Sequence, residues 1–328
     1  MATLQYKGKL SKIYEIWLVN LLLTIVTLGI YGFWGRRRMR QYLASQVTLN
    51  GNPMEYQGTV KEHVLGALKF VGLILALHMV FGAIFPDPDI ETMKNWQQTS
   101  PQLLLEDGEF KAYLSNQFIY GTVENIFYVF VIGFFIFTSR CYRINRVSWQ
   151  GIYHRLDGSM WQYAFLRLYV LLGKFFTLGL LAPQLDTKWA SWTYSRLFFG
   201  NQPAHLLPYS PSKELKRTNL ITILLAIPTL FFSRLYYHAA FYREFLGHIT
   251  VAGVLVDSSR ITSGRFISLL MGNVALQIFS LGLAQPIVIN RSLRWLTENI
   301  KFDGELANDI GSSPRLSLSS EMPPFFIA

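Results

Sequence analysis

Three Thr/Ser-Leu-Gly triplets punctuate the chain, Thr27-Leu28-Gly29, Thr177-Leu178-Gly179 and Ser280-Leu281-Gly282, and three residues before each stands a polar side chain: Thr24, Lys174 or Gln277. Four residues earlier come Asn20, Val170 and Asn273, and Arg167 lies seven before Lys174. Spacings of four and seven place these residues on one helix face. The surrounding sequence is strongly apolar, and a lysine near mid-bilayer costs about 2.5 to 3.5 kcal/mol even on insertion scales. The three polar faces are therefore expected to meet one another. Two chemistries fit them. In one, Asn, Gln and Thr are interhelical glue worth about 0.6 kcal/mol per hydrogen bond, and Lys174 pairs with Glu15, Glu124 or Asp157. In the other, three pseudo-equivalent helices line a hydrophilic site that binds an anionic lipid headgroup or passes a small solute. The first needs no ligand and is the preferred reading.

Catalytic signatures are absent from the sequence. The six histidines, His63, His78, His154, His205, His238 and His248, form no HExxH motif and no pair at metal-ligand spacing. GxSxG is missing, and Gly173-Lys174 lacks the upstream glycine and the Ser or Thr of a phosphate-binding loop. The single cysteine, Cys141, is flanked by Arg140, Tyr142 and Arg143, a setting that can activate a thiol. It reads more simply as a small apolar residue, and His78 as a satisfied buried histidine. The expectation is a protein that is not an enzyme and holds no cofactor or metal.

Elements that position these residues are set by hydrophobicity. The chain has 328 residues, 51% hydrophobic and 15% charged, with a formal net charge of +10. An average soluble domain carries roughly 25% charged residues, so the apolar surplus must face lipid. The cations cluster beside apolar segments, where anionic headgroups attract each by roughly 1 kcal/mol; nucleic acid is not an expected partner. Five stretches match the roughly 20 residues a crossing helix needs: Ile16 to Trp34, Val64 to Phe85, Ile119 to Thr138, Trp161 to Ala182 and Phe266 to Ile289. A sixth, Asn219 to Phe232, is shorter and carries Pro228. Lys7, Lys9 and Lys12 precede the first stretch, but Arg36-Arg37-Arg38 follow it in place of a cleavage site, so it reads as retained.

Residues 86–118 form a long acidic loop expected on the non-cytoplasmic side. Arg36, Arg37, Arg38 and Arg40 then face the cytoplasm as a headgroup-level topology anchor. Lys188, Arg196, Lys213, Lys216 and Arg217 would land on the wrong side if Trp161 to Ala182 crossed completely. Helices that re-enter and break at Gly29, Gly179 and Gly282 remove the conflict, provided protein buries the irregular backbone. Downstream of each triplet a cation (Arg38, Lys188, Arg291), an aromatic (Tyr42, Trp192, Trp295) and a turn (Asn50-Gly51, Gly200-Asn201, Asp303-Gly304) recur in register. Val47-Thr48-Leu49 and Met54-Glu55-Tyr56 around Asn50-Gly51 predict a β-hairpin, with weaker versions before Gly200 and Asp303.

The strings NLLLTIVTLGIYGFWGRRRMRQY (Asn20 to Tyr42), TLNGNPMEYQG and SWQGIYHRLDG (Ser148 to Gly158) resemble the YjgN-like family of bacterial inner-membrane proteins, a domain of unassigned function. Where that family has proline before the tryptophan, this chain has Phe33, while Pro183 and Pro286 keep it. The resemblance covers the chain from Tyr6 to about Leu306. It implies a multi-pass protein of the bacterial inner membrane and a membrane-linked metallopeptidase as partner, and brings no catalytic residues.

The expected fold is thus an α-helical integral membrane protein with about six embedded helices in three diverged pseudo-repeats (about 4–58, 153–210 and 255–306), with short amphipathic helices and small β-hairpins outside the bilayer. Residues 1–306 form one membrane-embedded domain and 307–328 a disordered tail whose last residues, Phe325 to Ala328, are apolar. The expected function is a scaffold or accessory subunit of a membrane complex, in contact with the lipid bilayer and anionic headgroups. The alternative is a small transporter, channel or lipid-binding protein with Asn20, Thr24, Arg167, Lys174, Asn273 and Gln277 lining a polar site.

Overall fold

The computed structural model describes residues 2–104 and 106–304; the tail expected at 307–328 lies outside them. One order of elements, two helices and then a β-hairpin, recurs along the chain. After β1 (Leu4–Tyr6) come α1 (Leu10–Val26), α2 (Gly32–Gln46), β2 (Val47–Leu49) and β3 (Asn52–Tyr56). The next stretch is longer: α3 (Val60–Ile84), α4 (Ile90–Gln98), α5 (Pro101–Leu104), α6 (Gly108–Asn145), β4 (Val147–Trp149) and β5 (Ile152–Leu156). Then follow α7 (Met160–Phe176), α8 (Ala182–Tyr194), β6 (Leu197–Phe199) and β7 (Gln202–Pro203). After β8 (His205–Leu206) come α9 (Lys213–Leu224), α10 (Ser233–Leu246), β9 (Ile249–Val251) and β10 (Val254–Asp257). Last are α11 (Ser263–Phe279), α12 (Gln285–Asn299) and β11 (Lys301–Asp303).

Among the described residues two helices, α3 with 25 residues and α6 with 38, are long and apolar enough to cross a membrane. The 17 residues of α1, α7 or α11 rise about 25 Å at 1.5 Å each, short of the roughly 30 Å hydrocarbon layer. The expected stretches Ile16 to Trp34, Trp161 to Ala182 and Phe266 to Ile289 are each broken at the triplet, and the sixth is left by α9 at Leu224.

The break has one geometry. Leu28, Leu178 and Leu281 adopt left-handed φ of 50°, 48° and 48°. The following glycine N–H donates to the carbonyl five residues back: Gly29 to Thr24 at 2.7 Å, Gly179 to Lys174 at 2.7 Å and Gly282 to Gln277 at 2.9 Å. This is the Schellman closure of a helix C-terminus. The hydroxyls of Thr27 and Ser280 donate to the carbonyls of Leu23 and Leu276 at 2.7 and 2.5 Å and accept the amides that open the next helix, Tyr31 and Ala284, at 2.9 and 2.8 Å. A fourth such turn separates α9 from α10. There Phe231 donates to Ala226 at 2.6 Å, Leu230 has φ 47°, and Thr229 accepts from Ser233 at 3.1 Å.

Strands β1 to β7 pair antiparallel in chain order, as do β8 to β11. The two sheets are joined through Ala204, which alone separates β7 from β8, and by the Ala2 N–H donating to Gly304 at 2.6 Å. The two sheets thus lie end to end as a ring held at its two seams by these links and not by paired strands. Its centre is filled: Ala2, Leu49, Trp149, Phe199 and Ala252 form a buried cluster with Phe302 against it, and Trp149 Nε1 donates to the Leu49 carbonyl at 3.1 Å. The helices also pack around a closed circuit, α1 against α2 and α12, α2 against α3, α3 against α6, and onward in chain order to α12.

The stretch 86–118, expected as a loop, contains α4, α5 and the start of α6. Two of its acids are helix caps: Asp89 accepts from Thr92 N at 2.7 Å, and Asp107 from Glu109 N at 2.8 Å and Phe110 N at 3.2 Å.

Candidate functional site

Five of the six sequence-marked polar residues, all but Arg167, bond inside their own helix pair. Asn20 donates to the Gly35 carbonyl at 3.0 Å, and Thr24 to the Asn20 carbonyl at 2.6 Å. Asn273 donates to Ser292 Oγ at 3.0 Å, and Gln277 donates to Gln285 Oε1. Arg167 is exposed on α7, its Cβ beside Gly133 of α6. Among the described residues no hydrogen bond or ion pair joins Thr24, Lys174 and Gln277 to one another. Facing helices of a pair are antiparallel and close, as Gly35 against Asn20 requires, so Asn20, Asn273 and Gln277 find their partners on the adjacent helix, and Thr24 finds its partner on its own.

Lys174 has a partner that the sequence reading missed. Its Nζ lies 2.5 Å from Asp186 Oδ1, with side-chain exposures of 31% and 11%. Glu15 is taken by Lys12 at 2.6 Å, and Glu124 by the Tyr128 hydroxyl at 2.6 Å. The second oxygen of Asp186 accepts from the buried Tyr237 hydroxyl at 2.8 Å. The Arg234 guanidinium stands 4.5 Å from the Tyr237 ring centroid and donates to Asn219 Oδ1 at 2.9 Å and Thr222 Oγ1 at 3.0 Å. Asn219, itself buried, donates to the carbonyls of Gly179 and Leu180 at 3.1 and 3.2 Å. Those are the carbonyls of the turn between α7 and α8, so the network ties that pair to α9 and α10. The register could have revealed Asp186: it lies nine residues after Thr177, as Arg36 does after Thr27, and twelve after Lys174, across a tight helical turnaround.

The anchor arginines divide. Arg36 and Arg38 are exposed, Arg37 is half-buried, and Arg40 reaches Tyr56 OH at 3.2 Å and His63 Nε2 at 2.6 Å. Asn20, Thr24, Arg36 and Arg40 line a cavity of about 360 Å³ between α1, α2 and Ile289 of α12. His78, expected to be buried, is 68% exposed and faces Glu124 at 3.3 Å. Cys141 is buried among Phe137, Leu156 and Met160, which suits a packing residue. Glu244 of α10 clamps the loop before α9, accepting from Ser212 N at 2.8 Å, Ser212 Oγ at 2.7 Å and Tyr209 OH at 3.1 Å. Burial and then the Glu244 carboxylate push the Tyr209 hydroxyl above its ordinary range. Among the described residues no group of three or more His, Cys, Asp or Glu could hold a metal ion.

Fold and polar network together define a helical membrane protein carrying a ring of two antiparallel β-sheets. The chain belongs to the bacterial family described as "bacterial protein of unknown function (DUF898)", whose model matches residues 1–210 and 207–311. It is also similar to the inner membrane protein YjgN of Salmonella typhimurium, 40% identical over 73 residues, which are 22% of this chain and 17% of that protein. YjgN of Escherichia coli is 33% identical over 81 residues, 25% of this chain and 20% of that one. The matched segments thus span a fifth or less of these relatives. No solved structure matches. The YjgN-like resemblance and the apolar helices make this an inner-membrane protein of bacteria.

Proposed function

We propose that the protein is a non-enzymatic inner-membrane scaffold or accessory subunit, fixed by two crossing helices, α3 and α6, and by four helix pairs that re-enter one leaflet and present the β ring in the cytoplasm to a partner. One observation carries this reading: the leucines at the turns. Leu28, Leu178, Leu281 and Leu230 are 93%, 81%, 92% and 77% exposed while held in left-handed backbone. That backbone costs a non-glycine residue roughly 1–2 kcal/mol. Burying a leucine in an apolar medium returns about 1.5 to 3 kcal/mol, so leucine is favoured at these positions only if lipid covers it. Strands lie at the other end of every pair, and Arg38, Arg140, Lys188, Lys213 and Arg291 then fall on one side, in accord with the positive-inside rule.

Recurring turns support diverged copies of one unit, with the α9–α10 pair as a further member beyond the three seen in sequence. The filled ring centre, with Leu49, Trp149 and Phe199 packed together, favours a docking platform over a channel along the axis. A membrane-linked metallopeptidase is the partner that the family resemblance suggests.

Single cysteines at positions 188, 213 and 281 in a Cys141→Ser background test the topology. Cytoplasmic labelling of 188 and 213 with protection of 281 is expected, and labelling of 188 and 213 only from the periplasm overturns re-entry. Crosslinking followed by affinity purification and mass spectrometry tests the scaffold role. A stoichiometric protein partner is expected; a lone oligomer carrying lipid or solute overturns it.

A further inference from the structure

A second site lies apart from the Lys174 network. Between α6, α8 and α10, against the β ring, is a cavity of about 410 Å³ lined by Arg140, Arg143, Trp189, Thr193, Tyr194 and Tyr242. This is within the roughly 300–1,000 Å³ range of small-molecule pockets. No carboxylate lines it. Among the described residues neither Arg140 nor Arg143 has an ion pair: Arg140 stacks on Trp189 at 5.2 Å, and Arg143 Nε donates to the Ser139 carbonyl at 3.0 Å. The nearby acids are engaged elsewhere, Asp186 with Lys174 and Tyr237, and Asp157 with Arg155 at 3.1 Å. The charges of Arg40 and Arg140 both bear on Arg143, and no carboxylate in the cavity lining offsets those of Arg140 and Arg143. Trp189 Nε1 adds an independent sign, being a buried donor with no acceptor. Such donors are rarely left unpaired.

We propose that this cavity binds a phosphate group, with Arg140 and Arg143 as its charged clamp and the Trp189 indole N–H as a neutral donor. Phosphate takes arginine in a fork, and its tetrahedral oxygens, two non-bridging in a phosphodiester and more in a monoester or free phosphate, diverge toward donors on separate helices where a planar carboxylate does not. The group is carried by an anionic phospholipid entering between helices or by a small soluble phosphorylated compound entering from the ring side. The site is independent of the scaffold reading and uses none of the residues that carry it except Arg140's charge.

Two arms test it on the full chain. Protein in nanodiscs of phosphatidylcholine, with or without phosphatidylglycerol, is released into native mass spectrometry, and protein in neutral detergent is titrated calorimetrically with inorganic phosphate. Retained phosphatidylglycerol assigns a lipid source, and a phosphate isotherm assigns a soluble one. In either case Arg140→Gln with Arg143→Gln is expected to weaken binding about tenfold or more, the scale of a lost charge-assisted hydrogen bond. Trp189→Phe removes the N–H while keeping an aromatic under Arg140, and is expected to weaken binding about fivefold. It decides the matter if the double variant fails to fold. Binding of neither probe, or equal binding by wild type and Trp189→Phe, overturns the site.

Discussion

Replacing Lys174 by methionine removes the cation from Asp186 and leaves its carboxylate with the Tyr237 hydroxyl as its hydrogen-bond donor. Breaking a buried ion pair by deleting one partner costs about 3–5 kcal/mol. Lys174 keeps 31% of its side chain exposed, so solvent screening reduces the expected loss to about 2 kcal/mol. Asp186→Leu strands the lysine and also orphans the buried Tyr237 hydroxyl, for a loss of about 3 kcal/mol. With both changes no charge remains unpaired, and only the hydroxyl penalty of about 1–3 kcal/mol persists, which Tyr237→Phe should remove. The singles therefore sum to more than the double by at least about 2 kcal/mol. Equilibrium unfolding in mixed detergent micelles, followed by far-UV circular dichroism, measures each corner of the cycle. Additivity within about 0.3–0.5 kcal/mol, the behaviour of uncoupled sites, would refute the network as a latch.

Aspartate at Leu28, Leu178 and Leu281 together should sharply reduce recovery in the membrane fraction, because each places a charge of about 2.5–3.5 kcal/mol on insertion scales into lipid; glycine at the same positions should be recovered normally, and equal recovery of both variants would mean that the turns stay in water. Trp149→Ala should cost about 3–5 kcal/mol by emptying the ring centre and unpairing the Leu49 carbonyl, read as a lowered unfolding midpoint; a loss under 1 kcal/mol, roughly the scale of a surface change, would mean that the ring is not packed there. His154 sits on β5 against the Phe199 ring at 4.7 Å, donating through Nδ1 to the Val147 carbonyl at 3.0 Å. Desolvation holds its folded pKa below the ordinary value. The unfolded chain thus binds the proton more readily, so this contribution is fully present above about pH 6.5 and is lost as pH falls through the folded value. Thermal midpoints compared between wild type and His154→Gln should show the acid-side decline flattened in the variant.

What sequence could reveal followed from regular local chemistry. Asn50-Gly51 marked its hairpin because both positions need left-handed backbone, and φ of 50° and 82° occur there. Gln150-Gly151 and Ala252-Gly253 form the same turn, with φ of 50° and 79° in the second, yet glutamine and alanine are not turn residues. Only their register with Asn50-Gly51 could have marked them. The α9–α10 turn was hidden in the same way, since Leu230-Phe231 replaces Leu-Gly after Thr229. Asp186 escaped because a mid-helix aspartate reads as solvent-facing until the turn folds it back over Lys174. The acids of 86–118 read as loop composition because capping residues and loop residues are the same types.

Polar atoms bonded within each helix pair have a physical consequence for assembly. A pair that satisfies its own Asn, Thr, Gln or Lys meets its neighbours mainly through apolar contacts, which lipid can replace with little change in free energy. Neighbouring pairs must then be held by something lipid cannot imitate. The β ring supplies it, pairing β3 with β4 through Tyr56 and Val147, and β5 with β6 through Leu156 and Leu197. The α7–α8 and α9–α10 pairs are also joined helix to helix, where Asn219 reaches the Gly179 and Leu180 carbonyls. This contact joins the two pairs whose link in the sheet is shortest, since β7 and β8 are two residues each and are joined through Ala204. Where the ring cannot hold two pairs together, a buried amide does.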